Sequence, residues 1–233
     1  MRLIGLLRVH LDAAVRDRLP RLRGAPADTG EPPPWQPVRN GRVKVFTKQS
    51  DQAHLVLGVR SRPLVDPDRY TLQLLATVLG GGMSSRLFTE VRERRGLAYY
   101  VFGTNHAYTD AGSLYAQSGV DINRIDDAVT TIVEQFRLLA SEPVPADELE
   151  KARNFAKGRF VLQLESPHGT IMFGLRREVL EGRAEEPQAV LEALDAVTAE
   201  DIQRVAQEIV DDGPYLAVIG PFEDAERFEK LLG

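Results

Sequence analysis

The chain of 233 residues is long enough to bury a substantial core, as one large domain or as one domain with an appendage. Its composition, 43% hydrophobic and 27% charged, is that of an ordinary globular protein, and a net charge of -5 from 29 basic and 34 acidic residues argues against a nucleic-acid surface. The absence of cysteine excludes disulfides, thiol catalysis and thiolate metal sites, and no apolar run approaches the roughly 20 residues that cross a bilayer.

The opening MRLIGLLR is shorter in its apolar part than the roughly 7 to 15 residues of a signal-peptide core, so no export signal is read. The expectation is a cytoplasmic protein with no membrane partner. Residues 3 to 7, LIGLL, read as a short buried strand. Leu11, Ala14, Val15, Leu19 and Leu22 continue at helical spacing, disturbed by Pro20. Residues 1–24 therefore make a poor domain on their own. From Ala25 to Gly41, five prolines make an extended, semi-rigid connector in which Trp35 reads as an anchor of the linker to the globular surface in preference to a ligand-stacking ring.

Residues 42–233 read as one α+β domain. Arg42 to Lys48 and Gln52 to Arg60 alternate as strands, the second with Ala53, Leu55, Leu57 and Val59 on one face. Asp66-Pro67 predicts a helix start, cap then proline, with Leu72, Leu75 and Leu79 inward. Gly80, Gly81 and Gly82 end that helix and permit positive φ or close approach of another chain. Ser84 or Ser85 caps a short next helix with the stripe Leu87, Phe88 and Val91, and Gly96 gives it a left-handed exit. A strand then runs from Leu97 to Phe102, and Gly103 to Asp110 joins it as a hairpin to a strand from Gly112 to Val120.

The remainder is mostly helical. Ile125, Ala128, Val129, Ile132, Val133, Phe136 and Leu139 form the stripe of one helix. Asp147 to Leu164 is a second, with Leu149, Ala152, Phe155 and Ala156 inward. Helices are also predicted over Gly169 to Leu180, Pro187 to Leu194 and Thr198 to Ile209, the last opened by Thr198 and Asp201 as a capping pair. Tyr215 to Ile219 is a final strand before a charged terminal helix. Strands grouped ahead of helices place the helices on one sheet.

The block LGGGMSSRLFTEVRERRGLAYYVF, from Leu79 to Phe102, resembles the second half of the zinc peptidases related to pitrilysin, insulinase and the mitochondrial processing peptidase. There a Gly-rich turn, a helix reading Ser-Arg-Leu-Phe and a segment Arg-Gly-Leu-Ala-Tyr recur in the half that carries no metal. The likeness in element order extends across roughly residues 42 to 220 and includes VTAEDIQRVAQEIV from Val197 to Val210. It implies a mixed, largely antiparallel sheet with helices packed on one face. It also implies that residues 1–24 are the tail end of a preceding metal-bearing half, strand plus helix.

The resemblance assigns roles as well. Arg92 and Tyr99, seven residues apart, match the pair that faces the peptide-binding chamber and hydrogen-bonds substrate backbone beside a zinc held by the other half. Tyr99 would offer a neutral phenol and Arg92 a planar, permanently charged fork, donors suited to a carbonyl or a developing oxyanion. Gly80, Gly81, Gly82 and Phe102 are the candidate substrate-binding positions, with Asn105 and His106 further along. On an alternating strand, Tyr100 would face opposite to Tyr99 as a core aromatic.

Bland readings stand beside these. Arg94 and Arg95 read as solvated cations at a helix end. The three glycines lack the Lys-Ser/Thr of a phosphate loop and do not follow a strand. The acidic pairs Glu185-Glu186 and Asp211-Asp212 read as solvated loop charge. His10, His54, His106 and His168 are the only histidines, the closest two 44 residues apart, and no His-x-x-Glu-His motif exists. The resemblance implies that this chain contributes no metal ligand and that zinc comes from a complementary half. The expected protein is a non-zinc half of a metalloendopeptidase, inactive alone, binding an extended peptide and pairing as a homodimer or heterodimer. The alternatives are a non-catalytic scaffold of the same family and an unrelated enzyme using the histidines.

Overall fold

The computed structural model describes residues 41–182 and 185–233. The strand and helix expected over residues 1–24, and the connector with Trp35, lie outside the described residues apart from Gly41. Among the described residues, five strands form one sheet: β1 (Val43–Thr47), β2 (Gln52–Ser61), β3 (Ala98–Ala107), β4 (Gly112–Asp121) and β5 (Tyr215–Gly220). The order is β1-β5-β2-β4-β3, with β1 and β5 parallel and every other pair antiparallel. This is the mixed, largely antiparallel sheet of the α+β reading.

The helices are α1 (Arg69–Gly80), a π-helix (Phe88–Arg94), α2 (Ile125–Ser141), α3 (Ala146–Leu164), α4 (Pro167–Glu181), α5 (Pro187–Ala196), α6 (Ala199–Val210) and α7 (Glu226–Leu232). They pack on one sheet face because alternation sends Ala53, Leu55, Leu57 and Val59 of β2, Leu114 and Ala116 of β4, and Leu216 and Val218 of β5 to that side, where all are buried. The predicted stripe of α2 is buried in full. α1 is buried almost all round, as a helix between a sheet and outer helices must be.

Local chemistry explains the ends. Thr198 accepts from the Asp201 amide and Asp201 accepts from the Thr198 amide, the expected capping box of α6. Ser166 caps α4 by accepting from the Gly169 amide at 2.9 Å, and Gly182 closes it with φ 72°. Arg153 of α3 donates to the last free carbonyls of α5 and its cap, Leu194 at 3.2 Å and Val197 at 2.8 Å.

Four expectations are corrected. α1 starts at Arg69, not at Asp66-Pro67, because the Asp66 carboxylate accepts from the Asp68 amide at 2.9 Å and holds a turn before the helix. Residues 103–107 continue β3 rather than turn, and the hairpin closes at Tyr108, whose amide donates to Ala111. None of Gly80, Gly81 and Gly82 has positive φ; what the helix end requires of Gly80 is closeness to β3. Phe155 is 42% exposed, its ring beside Gly82 instead of in the core.

Candidate functional site

The block from Gly80 to Phe102 folds as helix end, π-helix and bulged strand. Ser85 does not cap the next helix; its hydroxyl donates back to the Gly82 carbonyl at 2.5 Å, which closes the turn. Arg86 makes a two-pronged ion pair with Glu148 at the start of α3, at 2.9 and 2.8 Å, so its part is to clamp the turn to the helix layer. Leu87 and Val91 are buried and fix the π-helix, and Gly96 leaves it with φ 57°. The Leu97 amide then reaches back to the Val91 carbonyl at 2.8 Å.

Arg92 projects from this π-helix, a form that recurs at functional positions. Its guanidinium lies over the Phe88 ring at 5.0 Å, and it makes no hydrogen bond or ion pair among the described residues. Its neighbours are occupied: Arg94 pairs with Glu90 at 2.6 Å, and Arg95 donates to Thr131 at 3.1 Å and lies 3.5 Å from Glu134.

Tyr99 sits at a β-bulge. Ala98 pairs with Val120 and Tyr100 with the very next residue, Gly119, leaving Tyr99 without a partner on β4. It is 56% exposed, and its hydroxyl makes no hydrogen bond among the described residues. Tyr100 is not the expected core aromatic. Its ring lies over Gly119 on the helix-free face, stacked between His54 and Phe102, and its hydroxyl is 3.1 Å from His54 Nδ1.

The other candidates divide. Gly80 is buried against Gly103 of β3, Gly82 packs beside the Phe155 ring, and Phe102 lies on the open sheet face. Gly81, Asn105 and His106 line a cleft of about 1010 Å³ between β3, α1, α3 and α4, which Arg92 and Tyr99 do not line. One wall of that cleft carries a cluster absent from the sequence reading. Glu185 accepts from Tyr70 at 2.6 Å and Arg69 at 3.2 Å and pairs with Arg177, which also binds Glu181 at 2.8 Å. Glu185 is thus no solvated loop charge, its side chain being 13% exposed. Burial, then the Glu185 carboxylate, pushes the Tyr70 phenol above its usual range. Only the arginine-rich phrase LRREVLE hinted at this cluster, because Arg69 and Tyr70 lie more than a hundred residues from Arg177 and Glu185.

Among the described residues no three His, Asp or Glu side chains gather to hold a metal ion, and no helix is long and apolar enough to cross a membrane.

Residues 10–155 match the family model described as the peptidase M16 inactive domain. An uncharacterized zinc protease of Streptomyces coelicolor is 33% identical over 80% of this chain and 40% of its own length. Another, of Bacillus subtilis, is 34% identical over 75% of this chain and 42% of its own. The chain thus spans less than half the length of these relatives. In structure it is similar to a peptidase M16 inactive domain from Pseudomonas fluorescens, with a TM-score of 0.69 at 20% identity, over 78% of this chain and 44% of that one.

Proposed function

From the premise that this chain belongs to the peptidase M16 family and carries its inactive domain, we propose that it is the non-zinc half of a metalloendopeptidase. In this reading residues 1–24 close a zinc-bearing half, residues 25–41 link the two, and residues 42–233 receive an extended peptide. In this reading the zinc belongs to the complementary half, since this chain lacks the His-x-x-Glu-His motif.

The observation that carries the reading is the pair of idle donors. Arg92 and Tyr99 project within one short block, exposed and without an acceptor among the described residues, while Arg86, Arg94 and Arg95 around them are all engaged. The bulge frees Tyr99 from strand alternation, and the π-helix holds Arg92 on a buried base of Leu87 and Val91. Such donors bind peptide carbonyls, and a preorganised donor aimed at developing charge lowers a barrier without reorganising. Gly81 and Phe102 would meet other parts of the same substrate.

The test is hydrolysis of a quenched fluorogenic peptide by this chain with zinc, alone and then mixed with a zinc-bearing half from the same source. Activity in the mixture only is the expected result. Activity in this chain alone overturns the reading, and silence from halves shown to associate converts it to the scaffold reading.

A further inference from the structure

β3 is an edge strand, and between Ala98 and Ala107 its outer side makes no backbone hydrogen bond among the described residues. Proteins usually blunt such an edge with brevity, charge or proline. The opposite edge obeys, since β1 is five residues long and carries Lys44. Beyond its bulge at Tyr99, β3 does not: its ten residues, AYYVFGTNHA, include no Lys, Arg, Asp, Glu or Pro.

The large cleft runs along this unprotected edge. Every residue from Gly103 to Tyr108 lines it. Because strand side chains alternate between faces, an unbroken run along one cleft fits a strand that turns its edge to it.

The facing wall is apolar and cationic. Phe155 and Leu162 of α3 are 42% and 64% exposed. Arginines 69, 159, 176 and 177 line the cleft against a single carboxylate, Glu181. Arg69 and Arg177 are held by Glu185 and Glu181. Arg159 lies over the Phe155 ring at 5.8 Å, and neither it nor Arg176 has an ion pair among the described residues. Two unmatched cations beside a free edge, in a chain of net charge -5, form a local site for an anion that also carries peptide groups.

We infer that this cleft binds an acidic, extended peptide segment as an added strand on β3, its carboxylates meeting Arg159 and Arg176 and its apolar side chains meeting Phe155 and Leu162. Main-chain hydrogen bonds supply the affinity, and the alternating side chains the selectivity. A second copy of the chain is a poorer occupant, since its own β3 brings no carboxylate to the arginines. The inference deepens the peptide-binding role proposed above by naming where an acidic segment sits and what selects it.

The experiment is fluorescence anisotropy of the full chain, without zinc or a complementary half, against a short labelled peptide of alternating glutamate and valine. A lysine-for-glutamate version should bind at least about tenfold more weakly, and so should one N-methylated on the amides that face β3. Arg159→Glu with Arg176→Glu, at two exposed positions, should abolish the preference for glutamate, with circular dichroism confirming the fold. Equal binding of the lysine peptide, indifference to N-methylation on either set of alternate amides, unchanged binding by the double variant, or no binding overturns the inference. So does self-association through β3 that acidic peptide does not reverse. Absence of peptide binding alongside activity in the mixed halves would sink this inference alone, whereas binding with silent mixed halves would sink the catalytic reading alone.

Discussion

Gly80 and Gly103 meet backbone to backbone, so that a β-carbon on Gly80 would lie 2.5 Å from the Gly103 Cα. The contact sets how closely the end of α1 approaches β3, and with it where the glycine turn begins. Gly80→Ala would gain up to about 1 kcal/mol in helix propensity. Against that, neither backbone can yield without moving an element, and such overpacking costs about 1–3 kcal/mol. Gly103→Ala should cost less, because its β-carbon would stand 3.1 Å from the Gly80 backbone and 3.3 Å from Leu79 Cγ. Urea midpoints should rank wild type above Gly103→Ala above Gly80→Ala. Equal midpoints would mean that the helix end is free to slide.

The cluster around Glu185 predicts a second effect. Removing one member of a buried ion network strands the rest, so Glu185→Ala should cost about 2–4 kcal/mol and leave Arg69 and Arg177 short of a partner. Tyr70 adds a dependence on alkaline pH. Its phenol titrates higher folded than unfolded, mainly through burial and then through Glu185, so its contribution is complete below the unfolded value of about 10. That contribution fades as pH rises through the folded value. Tyr70→Phe should flatten this alkaline limb, and an unchanged limb would show that Tyr70 does not carry it.

These two features mark where sequence reading succeeds and where it stops. Periodicity exposed α2 because its seven predicted apolar positions all reach the core, and a fixed three-residue offset exposed the Thr198–Asp201 cap. Gly96 was legible because a left-handed exit restricts residue type. The insertion of β5 between β1 and β2 was not, since nothing local records which distant strands pair. Glu185 looked like loop charge because burial by residues 69, 70 and 177 is a tertiary fact. The π-helix and the bulge at Tyr99 also escaped, because each departs by one residue from the helical or strand period that patterns assume.

Asp68 gives a prediction at the acid end. Its carboxylate accepts from Arg204 at 2.7 and 3.1 Å and from Arg62 at 2.8 Å, joining the start of α1 to α6 and to the end of β2. The hydrogen bond from Arg204 and the charges of both arginines hold its pKa below the usual carboxylate value, against some desolvation. The stabilisation is therefore present above the unfolded carboxylate pKa and is lost as pH falls through the lower folded one. Asp68→Asn should cost about 1 kcal/mol at neutral pH and nothing in strong acid, so the stability curves of variant and wild type should converge there. Parallel curves down to low pH would remove Asp68 from this account.

Arg92 and Tyr99 should behave in the opposite way, mattering for turnover and hardly for folding. Both are exposed, and among the described residues the one local interaction of Arg92 is with the Phe88 ring, so Arg92→Ala and Tyr99→Phe should each shift stability by less than about 0.5 kcal/mol. If both donate to the substrate as the barrier is crossed, each loss should lower kcat of the assembled peptidase about a hundred- to a thousand-fold. A donor that only holds the ground state would instead raise KM with kcat unchanged. Arg92→Lys tests the geometry: a point charge cannot reproduce a planar two-pronged fork, so rescue should be partial. Full activity in both deletions would leave the chain a scaffold, and a large loss of stability would show that the two side chains are built into the fold.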